Sequence, residues 1–381
     1  MASDTATGPL VTVDRVHAAR AVAAELGIDL LVLTPGSDLR YLCGYHAHAM
    51  ERLTALVVPR RGEPLLVVPR LEAPMVDASP AGALGLEVLA WDETDDPFAL
   101  LAGAVTGRLG AAPARVAVGA RTWAEHALGV QRALPGSTLE LAGPVLDRLR
   151  MIKTPAEVTE LATAGAAIDR VHARMGEWLR VGRTEALVGA DIAAAILAEG
   201  HTGVDFVIVG SGPNGASPHH EVSDRVVQAG DLVVVDIGGE TASGYRSDCT
   251  RTYVVGGEAP AEVAEWYAVL QEAQQAACAA VRPGVTAEQV DAVARDTISA
   301  AGWGEYFIHR TGHGIGLDTH EAPYIVAGND LPLEAGMAFS VEPGIYLPGR
   351  CGARIEDIVV CTDDGVRTLN NGPRGLAVLP G

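Results

Sequence analysis

The chain has 381 residues, of which 48% are hydrophobic, and it carries 28 basic against 48 acidic side chains. This length exceeds the roughly 100–200 residues of one ordinary domain, and the apolar content is sufficient for buried cores. We therefore expect two or three folded domains and no extensive disorder. The net charge of −20 argues against nucleic acid as a main partner, because binding phosphate requires a basic surface.

The cysteines and the N-terminus indicate the compartment. Five cysteines without a Cys-x-x-Cys pair argue against a disulfide framework or a zinc knuckle. The first ten residues lack the basic and apolar regions of a signal peptide, and no apolar run reaches the roughly 20 residues of a membrane span. These features predict a cytoplasmic protein that does not act on a membrane.

Residues 13–150 alternate helix-like and strand-like patterns, which predict an α/β domain with a mixed sheet. A helix is expected to end at Gly27, and a turn follows the next strand. Further strands are expected at LTALVVP, PLLVVP, RVAVG and STLEL, and a helix at WAEHALGVQRAL. His46, His48 and Glu51 lie close together in the sequence, but no ligand pattern recurs around them, and we interpret them as a polar loop.

A domain boundary is expected near residue 150. Thr154 is a favourable N-cap and Pro155 a favourable first residue, so a long helix should begin there. Residues 1–150 carry 13 basic and 17 acidic groups, whereas residues 151–381 carry 15 and 31. The excess acid therefore lies in the second part, on a solvated surface or around bound cations.

The second part contains an internal repeat. Residues 179–200 match residues 281–302 at a constant offset of 102. Each copy has the pattern of a helix end, a glycine turn, a threonine N-cap and a second helix. In the second copy, Thr286 and Gln289 predict a capping box.

The correspondence continues downstream at polar positions. Three pairs of residues are equivalent in the two copies: Asp236 with Glu342, Asp248 with Glu356, and His219 with His320. If the copies pack about a pseudo-twofold axis, four carboxylates converge.

Converging carboxylates in buried strands need compensation, because an isolated buried charge is very costly. Arg246 and Arg354 are candidate partners, but two arginines leave excess negative charge, which a pair of divalent cations would remove. The run HRTGHGIGLDTHE adds His309, His313 and His320 as imidazole donors, and a mixed oxygen and imidazole set suits Mn, Co, Fe or Zn. The glycines of this run should let the backbone approach a metal or substrate closely.

A competing pattern precedes these residues. Gly210, Gly212 and Gly215 form a G-x-G-x-x-G after a predicted strand, and Asp236 follows at the distance of a ribose-binding acid. A dinucleotide site also needs a helix directly after the glycines, and Pro218 lies where that helix should continue. A Rossmann oxidoreductase therefore remains a minor alternative.

Three segments resemble a known family: DIGG with YRSDCTRT, TGHGIGLDTHEAP, and SVEPG with RIEDIV. They are similar to the creatinase/aminopeptidase P/methionine aminopeptidase family of pita-bread metallopeptidases, in particular to Xaa-Pro dipeptidases (prolidases) and Xaa-Pro aminopeptidases. The resemblance covers essentially the whole chain. It implies a creatinase-like N-terminal α/β domain, residues 1–150, before an α+β pita-bread catalytic domain with a pseudo-twofold repeat, residues 151–381. It also implies a homodimer.

The resemblance implies two divalent metal ions per chain, manganese foremost, with cobalt, zinc or iron as alternatives. Asp236 would bind one ion, Asp248 and Glu356 would bridge both, and His313 and Glu342 would bind the second. Water activated by the ions would attack the scissile carbonyl, with Glu342 as general base.

The resemblance implies further roles in substrate binding. His219 and His320 would contact the substrate and stabilise the tetrahedral intermediate, and His309 and Arg354 would help to bind its proline side. His219 is followed by His220, and the match to His320 favours His219 as the residue that faces the site.

The implied reaction is hydrolysis of the bond between an N-terminal residue and proline in a small peptide, with a slight preference for a dipeptide. Two alternatives remain open, because a fold does not determine its substrate. One is a non-peptide C–N hydrolase on the same fold, and the other is a non-catalytic module that binds peptides or proteins.

Overall fold

The structure is a computed structural model that describes residues 10–381. The chain divides into two compact units, the first ending at Arg150 and the second running from Met151 to Gly381. None of the helices in the described residues combines the length and apolar composition needed to cross a membrane.

The first unit is built on one mixed sheet. Its elements are α1 (Val13–Glu25), β1 (Leu30–Leu33), α2 (Ser37–Cys43), β2 (Ala55–Pro59), β3 (Leu65–Pro69), α3 (Ala73–Asp77), β4 (Glu87–Trp91), α4 (Pro97–Leu109), β5 (Arg115–Val118), α5 (Ala124–Ala133), β6 (Thr138–Leu141) and α6 (Gly143–Arg150). The strand order is β4-β3-β2-β1-β5-β6. Strand β2 is antiparallel to both neighbours, and the remaining pairs are parallel, so the predicted mixed sheet is confirmed.

One local prediction in this unit differs from the structure. The segment TPGSD after β1 predicts a turn, which the structure has at residues 35–36 only, because α2 begins at Ser37. The helix is short and ends at Gly44, whose φ of 73° is the left-handed conformation that glycine adopts at helix ends. Its Leu39, Tyr41, Leu42 and Cys43 are buried, so tertiary packing supports a helix too short to be stable alone.

The second unit contains two similar halves. Its elements are α7 (Pro155–Ala173), α8 (Glu185–Ala198), β7 (His201–Ser211), β8 (Asp231–Thr241), β9 (Arg246–Val255), α9 (Ala261–Ala280), α10 (Ala287–Ala300), β10 (Gly312–Gly314), β11 (Glu321–Ile325), β12 (Ala338–Val341), β13 (Gly344–Leu347), β14 (Cys351–Arg354), β15 (Asp357–Thr362), β16 (Gly365–Thr368) and β17 (Ala377–Leu379).

Each half packs a pair of helices against its own sheet. In the first half, Ile168 of α7 and Ile192 of α8 share a buried core with Val235 of the sheet β17-β9-β8-β7. In the second half, Leu270 of α9 and Val290 of α10 pack with side chains of the sheet β11-β10-β12-β15-β16. A separate pair, β13-β14, completes the second half. This duplication is what the sequence repeat predicts.

The predicted helix starts are also confirmed. Thr154 and Glu157 form a capping box at the start of α7, and Thr286 and Gln289 form one at the start of α10. At the start of α8, Thr184 accepts a hydrogen bond from the backbone of Leu187. These short-range patterns place the first turn of each helix and satisfy its free N–H groups.

The dinucleotide alternative is wrong. After β7, the glycine motif continues into a short 3₁₀ turn at Gly212–Ala216, and the next strand, β8, is antiparallel to β7. A dinucleotide fold needs an α-helix and a parallel strand at these places. The backbone therefore offers no helix N-terminus to a pyrophosphate here.

Candidate metal centre

The five predicted metal ligands lie together and come from both halves of the second unit. Their ligand atoms form overlapping groups whose members lie within 4.8 Å of one another: Asp236 with Asp248 and Glu356, His313 with Glu342 and Glu356, and Asp248 with His313 and His320. Among the described residues, the groups able to hold a metal all lie here. Asp248 and Glu356, the residues predicted to bridge, each belong to two groups.

Strand register explains why the first two carboxylates meet. Asp236 in β8 lies opposite Thr250 in β9, and Asp248 in β9 lies opposite Gly238 in β8. The two acids are thus diagonal neighbours two positions apart, and side chains two positions apart point to the same face of a sheet. A hairpin with this register places both carboxylates on one face.

The second pair arises from the equivalent strands of the other half. Val341 at the end of β12 lies opposite Asp357 at the start of β15. Glu342 and Glu356 are the next residues beyond this pair. The backbone N–H of Glu356 donates to Thr250 O at 3.2 Å, which joins this end of the second half to β9.

Burial makes this cluster electrostatically costly without a cation. Burial, followed by the charges of neighbouring carboxylates, raises the pKa of Asp248 and of Glu356 well above the usual range. Burial would also raise the pKa of Glu342, but the hydrogen bond and charge of His313 and the charges of His309 and Arg354 lower it to about 2. The site therefore resists full ionisation of its carboxylates until positive charge is supplied.

The residues fit divalent metal ions. Asp236 Oδ1 is buried and has no hydrogen-bond partner among the described residues, while its Oδ2 accepts from Arg354 Nη2 at 2.5 Å. A free buried carboxylate oxygen beside three further carboxylates is an environment that a cation stabilises. Four carboxylates and an imidazole form a donor set suited to manganese and its neighbours.

His313 is oriented by its own strand, β10, and by the neighbouring strand β12. Its backbone N–H donates to Ser340 Oγ at 2.9 Å, and its Nδ1 lies 3.1 Å from Gly314 O. In the neutral ring that a metal ion requires, the proton lies on Nδ1, which makes this second contact a hydrogen bond and leaves Nε2 with a free lone pair. Nε2 lies 3.2 Å from Glu342 Oε1 and 3.7 Å from Asp248 Oδ2, where a ligand atom is needed.

Arg354 lies in the wall behind the carboxylates. It is 2% exposed, and its guanidinium group makes four hydrogen bonds. Its donors reach Thr250 Oγ1 at 2.9 Å, Tyr346 Oη at 2.7 Å, Pro218 O at 3.3 Å and Asp236 Oδ2 at 2.5 Å. Thr250 Oγ1 in turn donates to Glu356 Oε2 at 2.7 Å. This geometry orients metal ligands and leaves little of the guanidinium for a substrate.

Tyr346 is a site residue that the sequence reasoning missed. Its hydroxyl accepts from Arg354 and lies 2.9 Å from His309 Nε2. Because His309 Nδ1 lies 2.7 Å from Arg310 O and donates to it, Nε2 accepts the Tyr346 proton. Burial raises the pKa of Tyr346 to about 12, and burial also lowers the pKa of His309. The sequence gives one indication of this role: the tyrosine lies in an apolar strand, GIYL, and a buried tyrosine hydroxyl needs a hydrogen-bond partner.

The remaining predicted histidines border the ligand cluster. The ring of His320 lies 3.8 Å from that of His313, and burial, followed by the charge of His313, lowers the pKa of His320 to about 4. His219 is exposed, and its charge contributes to the lowered pKa of both His309 and His320. Pro218, the residue before His219, accepts a hydrogen bond from Arg354, so His219 lies next to the wall of the carboxylate cluster.

The neighbouring histidine points elsewhere. His220 Nε2 lies 2.8 Å from Glu185 Oε2, and Glu185 is fully buried at the start of α8. The structure thus distinguishes the two adjacent histidines, with His219 near the site histidines and His220 held by a carboxylate of the first half.

The glycines around His313 serve a different purpose from the one expected. A Cβ at Gly312 would lie 1.8 Å from Ser340 O, and one at Gly314 would lie 2.2 Å from Ala322 O. The close approach is therefore to the neighbouring strands, and the prediction of an approach to metal or substrate is corrected at these two positions.

In the first unit, the His46 and His48 rings lie 6.2 Å apart, and nothing groups them with a third ligand among the described residues.

Comparisons with known proteins agree with this geometry. Residues 159–363 match metallopeptidase family M24, and residues 15–152 match the creatinase/prolidase N-terminal domain. A probable dipeptidase PepE of Mycobacterium tuberculosis is 58% identical over 366 residues, which is 96% of each chain. An Xaa-Pro dipeptidase of Lactobacillus helveticus is 37% identical over 92% of this chain and 95% of that protein. The crystal structure of dipeptidase PepE from Mycobacterium ulcerans matches with a TM-score of 0.91 and 58% identity, over 97% of this chain and 98% of that one.

Two domain matches, relatives aligned over nearly their full length and a cluster of buried carboxylates with one imidazole lead to one assignment. The chain belongs to metallopeptidase family M24, with an α+β pita-bread catalytic domain preceded by a creatinase-type α/β N-terminal domain.

Proposed function

We propose that this metallopeptidase holds two divalent ions and hydrolyses the bond between an N-terminal residue and a following proline. The overlap of the ligand groups carries the proposal, because the group of Asp236, Asp248 and Glu356 shares Glu356 with the group that contains His313 and Glu342, which places two candidate ion sites side by side. The proline specificity is supported by the Xaa-Pro dipeptidase of Lactobacillus helveticus, which is similar along nearly its whole length. We further propose domains at residues 1–150 and 151–381, a homodimer, and a cytoplasmic location.

The ligand groups suggest how the ions would be shared. Asp236 would hold one ion, His313 and Glu342 the other, and Asp248 and Glu356 both. Manganese is the proposed metal because most of the donors are carboxylate oxygens. When bound, the ions would supply Lewis-acid polarisation of the scissile carbonyl and lower the pKa of water.

The chain's own residues would move the protons and stabilise charge. Glu342 is ionised at neutral pH, so its free oxygen would accept a proton from the attacking water and pass it to the leaving proline nitrogen. His320, neutral at this pH, would donate a hydrogen bond to the developing oxyanion, and His219 would approach from the other side.

Proline recognition would rely on shape. Proline has no backbone N–H, so a site for it needs no acceptor at that place. The rings of His309 and Tyr346, with centroids 5.4 Å apart and joined by a hydrogen bond, form a rigid wall that could contact the pyrrolidine ring. Arg354 would act by holding that wall and Asp236, since its donors are engaged there.

The substrate carboxylate would then need another cation, and we propose Arg310. This half-buried residue lies with its guanidinium 4.6 Å from the centre of the Tyr324 ring, and its charge lowers the pKa of His320. A cation near the histidines could pair with the free carboxylate of a dipeptide, which favours dipeptidase activity.

The metal assignment is tested by counting ions. We expect about two manganese ions per chain, reversible loss of activity on chelation, and loss of at least one ion in Asp248→Asn. Asp191→Asn removes an exposed carboxylate of α8 and serves as the control, with unchanged metal content. Full occupancy and activity in Asp248→Asn would contradict the bridging role.

The substrate assignment is tested with manganese-loaded protein on Ala-Pro, Ala-Pro-Ala, Ala-Ala and small non-peptide amides. We expect Ala-Pro to be preferred. Arg310→Ala should raise KM for Ala-Pro about tenfold and leave that for Ala-Pro amide unchanged, because only the first substrate has the carboxylate. Cleavage of Ala-Ala or amides without cleavage of either proline peptide would rule out the proposed specificity, and binding without any hydrolysis would indicate a non-catalytic module.

A further inference from the structure

A buried carboxylate outside the metal centre gathers the segment that carries His219. Glu185 is the first residue of α8 and is fully buried. Its two oxygens accept hydrogen bonds from Ser211 N (2.7 Å) and Oγ (2.6 Å), Asn214 Nδ2 (3.1 Å to each oxygen), His220 Nε2 (2.8 Å), and Ser223 N (3.3 Å) and Oγ (2.6 Å).

These donors lie at both ends and in the middle of one segment. Ser211 is the last residue of β7, and Ser223 lies beyond His220, so residues 212–222 are tied to a single side chain. Burial would raise the pKa of Glu185, but the hydrogen bonds from Ser211, Ser223 and His220 lower it, so the anchor is charged. His220 is bound to this anchor and Pro218 O accepts from Arg354 Nη1 at 3.3 Å, so His219 lies between the anchor and the wall of the metal centre.

The second half contains a comparable anchor. Asp291 of α10 is 1% exposed and accepts from Thr311 N at 3.1 Å and Thr311 Oγ1 at 2.8 Å. It also binds Arg295, whose other donors reach Phe307 O at 3.0 Å and His309 O at 2.9 Å. A helical carboxylate thus also holds the segment that carries the site histidines of this half.

The two anchors occupy neighbouring turns of equivalent helices. At the repeat offset of 102, Glu185 corresponds to Ala287, and Asp291 follows Ala287 by four residues. Residues four apart lie on the same face of a helix. The halves therefore use different sequence positions on the same helix face for the same task, which the alignment of the repeats does not show.

We infer that Glu185 is a positioning residue that holds His219 at the substrate. The inference rests on the role proposed above for His219. Glu185→Gln keeps the shape of the side chain but places an N–H₂ donor against N–H and O–H donors, which disrupts the anchor. The inference predicts that this variant loses activity only because His219 is displaced.

A double-mutant cycle on manganese-loaded protein tests this dependence. We expect Glu185→Gln to lower kcat/KM for Ala-Pro by about 10- to 100-fold, as misplacement of a substrate-contacting group does. In protein that already carries His219→Ala, Glu185→Gln should cause no further loss of kcat/KM, because the effects of residues that act as a unit are not additive. Asp291→Asn should remain additive with His219→Ala, since it anchors the other segment.

Two measurements separate positioning from general damage. Metal content should stay close to wild type in Glu185→Gln, and any fall in Tm should be the same with and without His219→Ala. Hydrogen exchange should accelerate at the amides of residues 212–223 and stay unchanged at 307–313. The matched control is Glu288→Gln, the same change in the first turn of α10, which should leave activity within about twofold.

The outcomes distinguish the inference from the proposed function. If His219→Ala keeps wild-type kcat and KM, the role proposed for His219 is wrong and the inference fails with it. If His219→Ala is impaired while Glu185→Gln is neutral or fully additive, the inference alone is wrong. Should Glu185→Gln fail to fold, Ser223→Ala removes one neutral donor and should cause about a threefold loss that His219→Ala again abolishes.

Discussion

His313 and His320 are adjacent at the candidate metal centre, but their surroundings differ. His313 is 3% exposed, with its backbone bound to Ser340 and its Nδ1 against Gly314 O. His320 lies on the exposed side of the cluster, and its low pKa keeps it neutral at physiological pH. We therefore expect His313 to bind metal and His320 to act on the substrate.

Alanine substitutions should separate these roles. His313→Ala should lose metal, because it removes the only proposed nitrogen ligand. His320→Ala should keep metal and lower kcat by about 10²–10³-fold, since a donor to the oxyanion contributes mainly in the transition state. Metal analysis and steady-state kinetics on both variants check this. Loss of metal from His320→Ala would instead favour the group of Asp248, His313 and His320 as a ligand set.

The pKa shifts of the carboxylates predict how pH affects the metal-free protein. Asp248 and Glu356 have pKa values raised above their usual range by burial and neighbouring carboxylates. A carboxyl group whose pKa is higher in the folded state stabilises the fold at low pH and loses this contribution as the pH rises through its folded pKa. Glu342, with a pKa of about 2, stays ionised throughout.

We expect the Tm of the chelated protein to fall as the pH rises from about 5 to about 8. Manganese binds the ionised carboxylates, so adding manganese should raise the Tm of the protein more at about pH 8 than at about pH 5. Scanning calorimetry with and without metal measures both trends, and Asp248→Asn should flatten them. If manganese raises the Tm equally at both pH values, the raised pKa values assigned to Asp248 and Glu356 are contradicted.

At the scale of elements, β10 carries His313 between two strands that approach it closely. It pairs with β11 and with β12, both antiparallel. Gly312 faces the backbone of Ser340 and Gly314 that of Ala322, at distances where no side chain fits. The position of the imidazole therefore depends on two residues without side chains.

Gly312→Ala should destabilise the protein by about 3 kcal/mol or more and reduce its metal content, because the new methyl group forces β10 away from β12. Gly203→Ala is the control in strand β7, where a Cβ would have only an ordinary contact at 3.9 Å. It should change the free energy of unfolding by about 0.5 kcal/mol or less. Urea unfolding and metal analysis compare the two, and equal effects would contradict the close-packing explanation.

At the scale of the whole molecule, assembly is the main open prediction. The first unit carries none of the predicted site residues, yet it has a complete core around β1. It also exposes large apolar side chains, among them Leu71 (61%), Met75 (53%) and Leu128 (53%). The homodimer implied by the family resemblance stays a prediction.

Light scattering at the enzyme concentration used for assays should give the mass of two chains, about twice 39.5 kDa. Dilution that dissociates the dimer should reduce activity if the N-terminal domain of one chain covers the site of its partner. A monomer with full specific activity at every concentration would contradict this prediction.

Short-range patterns in the sequence were enough to predict several elements and the carboxylates of the site. Helix starts at Thr154 and Thr286 follow from caps within one turn, and strands follow from continuous apolar runs. The repeat predicted equivalent carboxylates in both halves, and the structure brings their oxygens within reach of a shared ion. These inferences need only spacing and the cost of a buried charge.

The hydrogen-bond partner of each site side chain follows from the packing of distant segments. Arg354 orients Asp236, which lies 118 positions away, and Glu185 holds His220 across 35. The contacts of Tyr346 and the backbone approach at Gly312 likewise join separate strands. No local pattern encodes such pairs, because hydrogen-bond geometry depends on how the strands and loops are packed. The chemical groups present therefore follow from the sequence, and the packing of the two halves determines which of them meet at the candidate metal centre.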